Sequence, residues 1–275
     1  MIHRIRCVAL LAAALFAPTT LATAFAATRT DAALTTTAER SGFHKTGRYD
    51  EVIALCEAFA RHYPQAVRCT DFGTTPEGRP MKLLVASTSG ALTPEAARAQ
   101  GLPVTLIQGG IHAGEIDGKD AGFLALREVL DGALAKGSLD RQVLLFVPVF
   151  NVDGHERFGR WNRPNQRGPE EMGWRTTAQN YNLNRDYVKA DTPEMQAMLA
   201  LINQWDPLAY IDLHVTNGAK FEHDVSIQVE PVHSADSALR QRRRARGRGG
   251  CRRCRRCRRP CRRVGGGFCG RGRRA

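Results

Sequence analysis

After its first residues the sequence has no second apolar stretch long enough to cross a bilayer as a helix, and that absence removes the class with several membrane-spanning helices. The one apolar run, CVALLAAALFA, follows the basic stretch MIHRIR, is too short to span a bilayer, and is followed by the small-x-small site Ala24-Phe25-Ala26. Residues 1–26 therefore read as a cleaved signal peptide rather than an anchor, and the mature chain as secreted or periplasmic, with no membrane span after cleavage. Cysteine is nearly absent before residue 241: with Cys7 in the leader, only Cys56 and Cys69 remain. Export permits a disulfide between them, but Cys56 lies on an apolar helical face, so two inert thiols fit the sequence equally well. Basic excess is missing too. Of the 40 Lys and Arg, 16 are Arg in residues 241–275, leaving 24 basic against 27 acidic side chains in residues 1–240. The formal net charge of +13 belongs to the tail, and the body has no electrostatic case for nucleic acid.

The tail, residues 241–275, lacks Lys, Asp and Glu and has almost no apolar residues. Cys251, Cys254, Cys257 and Cys261 are spaced like iron–sulfur ligands, but Pro260 precedes the last cysteine instead of following it, and nothing apolar is there to shelter a cluster. Arg-rich sequence could also bind phosphate backbones without sequence preference. A third reading, which the narrow Arg/Gly/Cys/Pro/Ala alphabet favours, is a GC-rich stretch read out of frame from near Arg240, disordered if translated.

What is present alternates between strand and helix patterns. Residues 27–42 are Thr/Ala-rich and read as a linker, and residues 43–240 as the folded part. Val52, Leu55, Cys56, Phe59 and Tyr63 mark one face of a helix that Pro64 ends. AVRCTDFG and PMKLLVAS read as strands around a Pro/Gly turn. Val104–Ile107 reads as a buried strand broken by Gly109-Gly110, after which His112 and Glu115 precede a helix through GKDAGFLALREVL. VLLFVPVF, 143–150, reads as a strand covered on both faces. Residues 155–191 form a long polar segment. Thr192-Pro193 then opens a helix with Met195, Met198, Leu199, Ile202 and Trp205 on one face, and LAYIDLH reads as a strand ending at His214. The predicted fold class is α/β: a mixed, largely buried sheet flanked by helices.

Three strand ends thus deliver His112 with Glu115, Asn151 with Asp153, and His214. Two imidazoles and one carboxylate suit Zn²⁺ with a coordination position left open. Asp212, two residues before His214 on the same strand face, could orient its imidazole. Asp153 reads as a turn residue.

GGIHAGEIDG, FNVDG, WNRPNQRGPEEMGWR, YNLNRDY and IDLH occur in this order, and on them the sequence resembles the zinc carboxypeptidases of the carboxypeptidase A type, from about Tyr49 to His233. The resemblance implies that His112, Glu115 and His214 hold one zinc ion and that Asn184 and Arg185 grip a substrate's terminal carboxylate. It implies that Arg163 stabilises the tetrahedral oxyanion, with Arg160 and Arg167 as alternatives in a loop of different length. The implied activity is removal of C-terminal residues from peptides or proteins by zinc-activated water, with no specific nucleic-acid partner. The family's general base is a Glu well beyond the third ligand, accompanied by a Tyr. Here only Glu222 and Glu230 follow His214, too early to match, and no Tyr follows Tyr210. The domain is therefore expected to be incomplete at its C-terminus and the chain impaired, the alternative being a zinc- or peptide-binding relative without turnover.

Overall fold

Two runs of branched and aromatic residues, Met81–Ala86 and Val143–Val147, are apolar at nearly every position, so the strands they form must be covered on both faces. They occupy the middle of the sheet. The computed structural model describes residues 31–219, 222 and 225–228. The leader at 1–26, the tail at 241–275 and the end of the 43–240 region lie outside the described residues. Among the described residues two compact units separate: one runs to Asn162 and resumes at Pro169–His214, and the other takes Arg163–Gly168 and the residues from Val215 on.

The first unit contains a five-stranded sheet. Its strands are β1 (Val67–Thr74), β2 (Pro80–Ala86), β3 (Val104–Gln108), β4 (Val143–Val147) and β5 (Ala209–Asp212), in the order β1-β2-β4-β3-β5. β1, β2 and β4 pair antiparallel, whereas β3 runs parallel to both β4 and β5. The sheet is mixed and flanked by helices, as the sequence predicts. Helices α1 (Thr37–Arg40), α2 (Tyr49–His62), α3 (Pro94–Ala99), α4 (Asp117–Leu130), α5 (Val152–Glu156) and α6 (Pro193–Trp205) complete it, with 3₁₀ turns at Ala32–Leu34 and Leu183–Arg185.

Helix α2 buries Val52, Leu55, Cys56 and Phe59, and its ends match the helix dipole, with Asp50 and Glu51 in the first turn and Arg61 and His62 in the last. Phe59 meets Phe123 of α4 at 5.8 Å between ring centroids, and Phe123 meets Phe146 of β4 at 5.3 Å, a chain of aromatic contacts tying two helices to the sheet. Helix α6 starts as its sequence requires: Thr192 Oγ1 accepts from Met195 N at 3.2 Å, with Pro193 at the first helical position. Cys56 and Cys69 form a disulfide joining α2 to β1, which resolves the choice their spacing left open. None of the described helices is long and apolar enough to cross a membrane.

One stretch differs from its sequence reading. From Asp31 on, the Thr/Ala-rich segment taken as linker folds onto the domain, with Leu34 and Ala38 buried. A capping box between Thr36 and Glu39 starts α1, and the Arg127 guanidinium donates to Leu34 O at 2.7 Å. Ala and Thr are compatible with either state, and the anchor that decides lies in α4, far along the chain.

Candidate metal centre

The centre begins where β3 runs out. Gly109 N donates to Val147 O at 2.9 Å, Phe150 N to Gly109 O at 2.9 Å and Asn151 N to Gly110 O at 3.0 Å, so the exits of β3 and β4 stay paired beyond the strands. Gly110 then turns the chain at φ +64°, a left-handed conformation natural to glycine. The following turn closes through Glu115 N to His112 O at 2.8 Å, which puts both side chains at the head of α4. On the other side of β3, the ladder to β5 continues through Leu213 N to Gln108 O at 2.9 Å, and His214 is the next residue. A Cβ on Gly118 would stand 2.7 Å from Leu213 Cβ, so the bare glycine is what allows the end of β5 to approach α4.

His112, Glu115 and His214 each offer a ligand atom within 4.8 Å of the other two. His112 and Glu115 are buried, and His214 is about one-third exposed. The two imidazole rings stand 5.2 Å apart, and His214 Nδ1 lies 3.1 Å from Glu115 Oε2. The other nitrogen, Nε2, is 2.9 Å from Asp212 Oδ2, the orienting contact the strand pattern suggested. Those two carboxylates, Asp212 first and Glu115 second, hold the imidazole positively charged to about pH 9 against the opposing effect of burial. Three donors on one zinc at about 2.0–2.2 Å stand roughly 3–4 Å from each other, so closing this trio on an ion takes only small side-chain shifts. The donor set and its spacing fit zinc.

Other candidates fall around the trio unevenly. Asn184, on the 3₁₀ turn at Leu183–Arg185, has its amide nitrogen 3.2 Å from His112 Nε2. Arg185 is exposed, with Nη1 donating to Asn184 O at 2.6 Å. Arg163 is in the second unit, where its guanidinium donates to Asn217 Oδ1 at 3.2 Å. Arg175, in the first unit, has Nη1 3.7 Å from Glu115 Oε1. Sequence reasoning passed over Arg175 because several arginines share one loop and spacing alone does not choose among them. Asp153 is not a local turn residue: it lies in α5, and it is Asn151 whose side chain accepts from Gly154 N at 3.0 Å. Fully buried, Asp153 accepts from Thr75 Oγ1 and Arg79 Nη1, each at 2.7 Å, and fixes the β1–β2 turn.

The sequence model of the family described as zinc carboxypeptidase matches residues 52–221, which include all three members of the trio. This chain belongs to the zinc carboxypeptidase family. Carboxypeptidase B from Astacus astacus is 31% identical over 108 residues, covering 39% of this chain and 33% of the relative. The structure of carboxypeptidase A from Helicoverpa armigera shares the fold with a TM-score of 0.50 at 21% identity, over 63% of this chain and 47% of that one. A metallo-carboxypeptidase from Burkholderia cenocepacia aligns at 24% identity and a TM-score of 0.47, over 62% of this chain and 42% of that one. This zinc carboxypeptidase chain thus spans about a third of the curated relative it matches and under half of these two solved structures.

Proposed function

We propose that the chain carries the zinc-binding part of a metallocarboxypeptidase, in which His112, Glu115 and His214 hold one zinc ion and a peptide's C-terminal amide is hydrolysed beside it. The observation that carries this reading is the convergence of two imidazoles and a carboxylate within 4.8 Å from distant points of the sequence. When bound, zinc supplies a Lewis acid that brings the pKa of a coordinated water to about 7 and polarises a carbonyl. The side chains do the rest. Asp212 holds the His214 ring, whose Nδ1 faces Glu115 at 3.1 Å. Asn184 and Arg185 offer an amide and a planar guanidinium to the terminal carboxylate, a group that guanidinium matches with two parallel hydrogen bonds. For the oxyanion, Arg175 joins Arg163 and its alternatives Arg160 and Arg167 as a candidate, because its guanidinium stands 3.7 Å from a member of the trio.

A second reading, a zinc- or peptide-binding relative without turnover, has its own support. Glu115 belongs to the trio, and Asp212 is committed to His214 and, through Oδ1, to Gln108 at 3.0 Å, so neither carboxylate is available as general base. Location in a secreted or periplasmic compartment is supported by the Cys56–Cys69 disulfide, which persists where conditions are oxidising.

Metal analysis and peptide hydrolysis separate these readings. One zinc per chain, with release of C-terminal residues that a chelator stops and Arg175→Ala lowers by about 10²-fold or more, is the expected result. One zinc per chain without hydrolysis favours the second reading. No zinc in the wild-type chain removes the first reading and leaves only peptide binding without turnover.

A further inference from the structure

Gln108 ends β3 fully buried, a neutral amide in a strand that is otherwise apolar or turned to its neighbours. Its partners are specific. Nε2 lies 3.0 Å from Asp212 Oδ1, its cross-strand neighbour on β5, and Oε1 lies 2.7 Å from the Tyr210 hydroxyl. Tyr210 in turn meets the Tyr187 hydroxyl, which lies 3.5 Å from Gln108 Nε2. Tyr210, Asp212 and His214 are spaced by two along one extended segment, so all three project to the same side of the sheet.

The chemistry of the groups gives this chain a direction. A carboxylate only accepts hydrogen bonds, so the amide must present its NH₂ to Asp212 and its carbonyl to Tyr210. Tyr210 must then donate to Gln108, and having used its one proton it can only accept from Tyr187. With Oδ1 occupied by Gln108, Asp212 turns Oδ2 to His214 and takes the proton on Nε2 at 2.9 Å. When the ring is neutral, as a metal ligand must be, the nitrogen left to face Glu115 is Nδ1, and its lone pair is free for a metal.

We propose that Tyr187, Tyr210 and Gln108 form a one-way hydrogen-bond relay that locks Asp212, and through it the Nε2-protonated tautomer of His214, as a preset metal ligand. The inference rests on the reading of His112, Glu115 and His214 as a metal centre. Gln108 and the tyrosines are positioning residues: they act through Asp212 and touch neither metal nor substrate.

The test uses the full chain, stripped with a chelator and titrated with zinc against a competing indicator. In parallel, the imidazole ¹⁵N resonances of the zinc-loaded protein report which nitrogen carries the proton. Gln108→Met keeps length and removes the side-chain hydrogen bonds to Asp212, Tyr210 and Tyr187, and zinc affinity is expected to fall about 10- to 100-fold, the usual cost of losing a partner of a ligand's support. Tyr210→Phe removes one hydroxyl and leaves the ring, so it keeps the test open if Gln108→Met does not fold. An affinity loss of about 2- to 10-fold is expected there, with the Nε2–H signal of His214 weakened. Affinities within twofold of wild type in both variants, with an unchanged His214 signal, overturn the relay while the metal centre stands. A wild-type chain that binds no zinc overturns the metal centre itself, and the relay with it.

Discussion

At the scale of single residues, His155 shows how little the identity of a side chain says about its work. It is a histidine one turn from the β4 exit, in the neighbourhood of a proposed metal centre, yet its ring packs between Tyr49 and Phe158 at 6.3 and 5.5 Å. Burial pushes its pKa down to about 4, opposed by the Glu156 carboxylate at 3.3 Å and reinforced by the charges of Lys119 and Arg48. The folded state therefore refuses a proton that the unfolded chain accepts below about pH 6.5. The contribution to stability is complete above that pH and is lost as pH falls toward about 4, to a total on the order of 3 kcal/mol. Urea unfolding in the presence of chelator at pH 7, 5.5 and 4 should show this loss, and His155→Phe should flatten it; an equal slope in both proteins would assign the acid sensitivity elsewhere.

At the scale of elements, the centre depends on two close approaches. Gly118 lets the end of β5 rest on α4, and the methyl group of Gly118→Ala would meet Leu213 Cβ at 2.7 Å. The expected result is displacement of the adjoining His214 and zinc binding weaker by at least 10-fold, while far-UV circular dichroism barely changes, because the clash involves one strand end. The disulfide is the second link. It ties α2 to β1 across a sequence separation of 13, and closing a loop of that size stabilises by about 3 kcal/mol. Cys56→Ser with Cys69→Ser should lower the denaturation midpoint accordingly, with zinc stoichiometry at low denaturant intact, since neither cysteine adjoins the trio.

For the whole molecule, charge is divided by segment. Residues 1–240 hold 24 basic and 27 acidic side chains, and residues 241–275 add 16 Arg and no acid. Any affinity for a polyanion should therefore fall steeply between 50 and 200 mM salt and vanish when residues 241–275 are deleted, with zinc binding retained. Fluorescence anisotropy with a labelled oligonucleotide measures the first and metal analysis the second. Retention of oligonucleotide binding by the deleted form would place a basic surface on the folded body. Leu208 and Ile211 flank and line β5, an edge of the sheet among the described residues, and are 80% and 42% exposed. Two exposed apolar side chains on an edge strand are the point from which self-association would start.

Local chemistry was legible in the sequence wherever the deciding neighbours are close along the chain. The 3.6-residue spacing of Val52, Leu55, Cys56 and Phe59 places α2, the Thr192-Pro193 pair starts α6, and the Gly109-Gly110 break puts His112 and Glu115 at the head of α4. Hydrophobic period and turn residues act within a few positions, so they can be read without the fold. What tertiary structure alone decided involves partners far apart in sequence. These are which arginine stands by Glu115, whether Cys56 meets Cys69, whether residues 31–42 are anchored, and why an amide sits buried at the end of β3. Each of these depends on a distance set by how helices, strands and loops pack together, and a linear sequence carries the groups but not that distance.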